Sequence, residues 1–252
     1  MIRRPMIAGN WKMHKTIAEG LAYVRELRSF VLPNDVDAVI CPPFTALAAV
    51  SKELRALGVA LGAQTMSEAD HGPQTGEISP VMLREIGVSY VVLGHSERRQ
   101  YFGETDAMVA VKARSALTHG LTPIIAVGDT AQEHAAGLAP TRVIEQTQAA
   151  IAGIPREAIG ACIFAYEPIW AIGTGLSEDP DQADALMGQL RASVPELRDA
   201  RLLYGGSMNT KNAASIMAQP NIDGGLIGGA SLSPANFAEL LALAHAALEA
   251  AR

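Results

Sequence analysis

Gly9-Asn10-Trp11-Lys12-Met13, at the end of the strand-like run Met6 to Asn10, carries one glycine where a dinucleotide-binding turn needs three. Around it, short apolar runs alternate with longer amphipathic stretches along the whole chain. Strands are expected near Met6 to Asn10, Ala38 to Cys41, Ala60 to Ala63, Tyr90 to Gly94, Pro123 to Val127, Ala161 to Ala165, Arg201 to Tyr204 and Gly225 to Ile227. These runs are mostly hydrophobic rather than alternating, the pattern of strands buried on both faces. Helical patterns lie between them, at Thr16 to Phe30, Thr45 to Leu57, Asp106 to His119, Asp181 to Val194 and Pro234 to Ala251. Strand-then-helix units, about eight of them in one domain, leave a closed (β/α)8 barrel or an open doubly wound sheet. The missing glycine fingerprint favours the barrel, as a single α/β domain over residues 1–252.

A chain of 252 residues is ample for one large core. Hydrophobic residues make up 49% and charged residues 18%, an apolar balance that points to surface buried in an oligomer, although alanine inflates it. The formal net charge of −6 argues against nucleic-acid and anionic-membrane partners, which need a basic field. An anionic substrate must then be held by local groups. Cys41 and Cys162 each sit in an apolar run and read as buried free thiols of a reducing compartment. Neither a signal peptide nor a membrane span is expected, which makes the protein cytoplasmic.

In a closed barrel, reactive groups come from the carboxyl ends of different strands. Asn10 and Lys12 follow the first strand, and His95-Ser96-Glu97-Arg98-Arg99 the fourth. Glu167 follows the sixth. Gly205-Gly206-Ser207 and Gly228-Gly229-Ala230-Ser231 follow the last two. Paired glycines opening a helix let backbone N–H groups approach an anion, so the two turns on neighbouring strands read as a phosphate cradle. Lys12 is the natural cation for an anionic substrate among only five lysines. His95 precedes a short polar helix start, whose positive end is expected to lower its pKa and leave a neutral donor. Glu97 is either a helix-start acid or a partner of Lys12, and the second is preferred.

Glu167 ends a buried run, where an unpaired carboxylate is costly, so it has a hidden partner or it works as a base. The segment of about 168–178 after it enters through Pro168 and leaves through Gly173-Thr174-Gly175, a stiff entry and a flexible exit that suit a lid. A second long loop, about 65–79, contains Asp70-His71-Gly72-Pro73-Gln74-Thr75-Gly76 and is too long for a simple connection.

Together, Gly9 to Met13, Gly94 to Arg99, Ala165 to Gly175, Tyr204 to Ser207 and Gly228 to Ser231 closely resemble the triosephosphate isomerase family, end to end and in order. The resemblance implies a TIM barrel and a cofactor-free, metal-free isomerase. Its reaction would interconvert dihydroxyacetone phosphate and D-glyceraldehyde 3-phosphate through an enediolate, in glycolysis and gluconeogenesis. By that likeness Glu167 is the base that moves a proton between adjacent carbons, and neutral His95 moves protons among the oxygens. Lys12 and Asn10, with Glu97 beside Lys12, hold the developing oxyanion, while Gly173, Ser207, Gly228 and Gly229 grip the phosphate. The lid keeps the enediolate from ejecting phosphate. The likeness of Thr75-Gly76-Glu77 to the family's dimer loop implies a homodimer in which Thr75 reaches the neighbour's Asn10 and Lys12.

This chain departs from the family pattern at Ala126 and Asp129, where cysteine and glutamate are usual, and at Thr65, where asparagine is common. Those positions bear on packing and stability. A paralogue acting on a four-carbon sugar phosphate would need the same base and grip, and a Schiff-base aldolase would have to use Lys12. The six histidines show no metal-ligand spacing. A non-catalytic scaffold would be expected to have lost Glu167 or His95.

Overall fold

In the computed structural model, which describes residues 3–172 and 177–252, parallel strands pair in chain order and the last pairs with the first. The strands are β1 (Met6–Asn10), β2 (Asp37–Cys41), β3 (Ala60–Ala63), β4 (Tyr90–Leu93), β5 (Thr122–Asp129), β6 (Ile163–Pro168), β7 (Arg201–Tyr204) and β8 (Gly224–Ile227). Closure rests on β1, which pairs with β2 through Asn10 opposite Cys41 and with β8 through Gly9 opposite Ile227. A closed sheet has no free edge, and with a packed interior and helices around it every strand is buried on both faces, as their hydrophobicity requires.

Side-chain alternation divides the core into two layers. Met6, Ala8, Val39, Cys41, Val92, Ile124, Ile163, Ala165, Leu203 and Leu226 fill the barrel interior. Their neighbours in the strands, such as Ile7, Ile40, Val91, Ile125 and Phe164, face the surrounding helices. Cys41 lies in the inner layer and Cys162 in the outer. Both are free and buried, and burial pushes both thiols up to about 12.

The expected strands all form, with shifted ends. The sixth, expected at Ala161 to Ala165, runs two to three residues later, because Ala126 to Asp129 of β5 extends to pair Gly128 with Glu167 and Asp129 with Pro168. Glu167 therefore lies inside a strand and not after one. Helices begin at side-chain caps that the apolar pattern alone blurs: Thr16 caps Ile17–Leu27 with a capping box, Thr105 caps Asp106–Thr118, and Asp179 caps Pro180–Ser193. Among the described residues no helix is long and apolar enough to cross a membrane.

Candidate active site

The carboxyl ends of β1, β4, β7 and β8 surround a cavity of about 270 Å3, near the small end of ligand pockets. Asn10, Lys12 and His95 line it on one side and Gly205, Gly206, Ser207, Gly228 and Gly229 on the other.

Lys12 is held in place from several directions. Its backbone is left-handed, with φ of 50°, a strained state for a residue with a side chain. The Asn10 side chain accepts from its N–H at 3.0 Å, and Gln64 Nε2 donates to its carbonyl at 2.8 Å and to that of Cys41 at 2.9 Å. Its ammonium lies 2.7 Å from Glu97 Oε1, the partner preferred from sequence. The lysine stem passes over Gly228, where an added Cβ would stand 3.4 Å from Lys12 Cε.

His95 caps the helix Ser96–Phe102, and its Nδ1 accepts the N–H of Glu97 at 3.2 Å. That bond fixes the tautomer: Nδ1 is bare, and in a neutral ring Nε2 carries the proton. Nε2 lies 3.0 Å from Glu167 Oε1, and the other carboxylate oxygen accepts the N–H of Ser96 at 2.8 Å. Oε1 finds no aligned hydrogen-bond donor despite that contact, so the carboxylate is held at one oxygen and only leaned on at the other. Glu167 is 2% exposed and does not line the cavity. Gly205, which does line it, packs against the glutamate. A Cβ on Gly205 would come within 2.9 Å of Glu167 Cγ, so glycine is required there for the carboxylate to rest where it does.

The lowered pKa expected for His95 is not what this arrangement produces. Burial does push against its charge, but the Glu167 carboxylate beside it prevails and the pKa is raised. Burial likewise raises Glu167, and the opposed His95 with the Ser96 N–H brings it below its ordinary value. The helix end gives Nδ1 the Glu97 N–H as donor; the missing element was a carboxylate seventy-two positions along the chain folding onto the ring.

The first glycine pair also differs from expectation. Gly205-Gly206 does not open a helix, since the next begins at Ala213. These glycines serve close packing: a Cβ on Gly206 would strike the Tyr204 hydroxyl and Pro168. Gly228-Gly229 does open a helical turn, Gly229–Leu232, whose Ser231 caps back on the Gly228 carbonyl. Ser207 donates to the Ala171 carbonyl at 3.0 Å, joining the β7 loop to the segment after β6. Gly173, and with it the Gly173-Thr174-Gly175 exit, lies outside the described residues.

A family model described as Triosephosphate isomerase matches residues 5–244. The chain belongs to the triosephosphate isomerase family. Among its relatives, the triosephosphate isomerase of Herpetosiphon aurantiacus is 46% identical over 247 residues, covering 95% of this chain and 99% of the relative. That of Chloroflexus aurantiacus is 47% identical over the same length and shares, and that of Caldanaerobacter subterraneus is 46% identical over 246 residues.

Gln64 and Ser96 are site residues of this family member that reading strand ends for titratable groups passes over, because they act through an amide and a backbone N–H. Position after β3 was the only available signal for Gln64. Gln64→Ala leaves the Lys12 carbonyl without its donor, while that of Cys41 keeps the Trp11 N–H at 3.1 Å, and it releases the strained Lys12 backbone. With a hydrogen bond worth about 1 kcal/mol, its loss is expected to raise KM about fivefold for a substrate that Lys12 holds. Steady-state kinetics check this, and an unchanged KM would show that Lys12 does not depend on Gln64.

Proposed function

We propose that this chain interconverts dihydroxyacetone phosphate and D-glyceraldehyde 3-phosphate by proton transfer through an enediolate, as a cytoplasmic homodimeric isomerase of glycolysis and gluconeogenesis. The observation that carries the reading is the meeting of Glu167, His95 and Lys12 beside one small cavity floored by glycines.

The roles of the described residues build on the resting geometry, and those of Gly173 and the lid on the family resemblance. Backbone N–H groups of Gly173, Ser207, Gly228 and Gly229 hold the phosphate, and Lys12 supplies a cation at the cavity wall. Glu167 turns from His95 and Ser96 toward the cavity and takes a proton from the carbon next to the carbonyl. Its departure removes the carboxylate that raised the His95 pKa. Burial and the Glu97 N–H on Nδ1 remain, and both favour the neutral ring. Neutral His95 then donates from Nε2 to the developing oxyanion, together with Lys12 and the Asn10 amide nitrogen, in a site arranged before the charge forms. Glu97 keeps the Lys12 ammonium and His95 Nδ1 in register. The segment of about 168–178 covers the bound enediolate.

A coupled assay of triose phosphate interconversion by purified protein tests the reading; no turnover would refute it. Chelators are expected to leave turnover unchanged, and borohydride with substrate to leave the enzyme active, because these roles need neither a metal nor a Schiff base. Loss of activity under either treatment would move the chain to another reaction class. Among the described residues, the one His and carboxylate trio able to converge on an ion, Asp35, His245 and Glu249, includes a residue just before β2, at the opposite end of the strands from the cavity.

A further inference from the structure

Beside the active site, the segment after residue 176 returns to the barrel through a cluster of buried polar groups that the proposed chemistry does not use. Asp129, at the end of β5, is fully buried, and its Oδ1 accepts from the Tyr166 hydroxyl at 2.9 Å. Glu178 is 5% exposed and faces that same hydroxyl, while its own N–H donates to the Tyr204 hydroxyl at 3.2 Å. Glu178 Oε2 and Asp129 Oδ2 are both buried without an aligned hydrogen-bond partner. His134 Nδ1 lies 3.2 Å from Asp129 Oδ2, and the His134 ring packs on Trp170 with centroids 4.5 Å apart.

Two carboxylates around one hydroxyl are a proton short. Tyr166 has a single proton, given to Asp129, and an ionised Glu178 could only face its oxygen lone pairs. With a proton on Glu178 the chain is complete: Glu178 donates to the Tyr166 oxygen, and Tyr166 donates to Asp129. We propose that Glu178 is a positioning residue for the reaction, acting as a carboxylic acid that completes a hydrogen-bond chain through Tyr166 to Asp129 and so fixes the strand ends beside Glu167. Tyr166 directly precedes Glu167, and its carbonyl accepts the N–H of Gly205 at 2.6 Å. Glu178 therefore ties β6 through Tyr166 and β7 through Tyr204, the two strands whose ends flank the path of the base.

The groups facing Glu178 pull in both directions, and those that favour the proton prevail. Burial favours its neutral form first of all, and the charges of Asp129 and Asp179 add to that; the Tyr166 contact and His134 oppose, and the net direction is upward. Asp129 is also raised, chiefly by burial. A carboxyl whose folded pKa is raised contributes fully in acid and loses its contribution as pH rises through that folded pKa. The chain should therefore loosen on the alkaline side.

The kinetic consequence rests on the isomerase reading; the proton on Glu178 does not. The test pairs a carbon-13 NMR titration of glutamate-labelled protein, which needs no activity, with kcat–pH profiles. The carboxyl resonance lost in Glu178→Gln is expected to titrate above the ordinary glutamate range. Glu178→Gln keeps a donor that does not titrate, so the alkaline fall of kcat should shift to higher pH in that variant. Glu178→Ala, which loses the donor, should lower kcat about fivefold with KM little changed. A Glu178 resonance titrating in the ordinary range would overturn the proposal, as would superimposable pH profiles for the wild type and Glu178→Gln. A raised titration in a protein without isomerase turnover would support the hydrogen-bond chain and refute the isomerase reading instead.

Discussion

Glu167→Asp is expected to keep the barrel and most of the substrate affinity while lowering kcat by about a hundredfold or more. The shorter arm moves the carboxylate roughly 1 Å from the carbon acid, and misplacement of that size can cost two orders of magnitude. The resting geometry sharpens the expectation. The glutamate is anchored by its Ser96 contact, packs its Cγ near Gly205 and has to swing out to reach the cavity, which it does not line. An aspartate starts from the same backbone, fixed in β6 by pairing with Gly128, and so cannot make up the distance by shifting the strand. Inorganic phosphate measures the grip separately, and its inhibition constant should stay near that of the wild type because the base takes no part in holding phosphate. Near-normal turnover in the variant would remove Glu167 from the role of base.

The barrel was legible because each strand is a short apolar run bounded by polar strand ends, and a sheet closed by β1 and β8 asks for that pattern eight times. The strand ends were less legible. Nothing in Ala161 to Ala165 announces that β6 continues through Glu167, because that extension depends on β5 being long enough to pair with it. Lys12 and Glu97 could be matched by charge, and they meet at 2.7 Å. The contact of His95 with Glu167 could not be anticipated: either residue alone is an ordinary titratable side chain, and the sign of the His95 shift turns on which charge folds onto the ring. Asp129 was read as a packing departure from the family pattern. Its meaning emerges only beside Tyr166 and Glu178, residues brought to it by the neighbouring strand end and a returning loop.

An uncovered apolar surface favours a second copy of the chain. Met13 is 95% exposed, Tyr101 69% and Phe102 65%, with Val81 and Met82 half exposed, on the loops and short helices that follow β1, β3 and β4. A monomer in water would leave these side chains unburied to no advantage. The long loop rises from the same region on a braced base: Ser67 N–H donates to the Ile78 carbonyl, the Ser67 hydroxyl to Gln74, and Ser115 to the Glu68 carbonyl, while residues 71–77 stay exposed. A stiff base under an exposed tip suits insertion into a second copy, because little ordering entropy is lost on docking. Thr75→Arg would then bury a charge at the contact, a desolvation penalty of several kcal/mol, and every 1.4 kcal/mol weakens association about tenfold. The variant should be largely monomeric at concentrations where the wild type is paired. Lys12, left in its strained conformation with only Asn10, Gln64 and Glu97 to hold it, should lose its aim, and turnover should fall about a hundredfold even where circular dichroism reports an intact barrel. Sedimentation over a series of protein concentrations, with activity read on the same samples, examines both steps. A fully active dimer would refute the docking of Thr75, and a fully active monomer would show that the strained Lys12 holds its place without a neighbour.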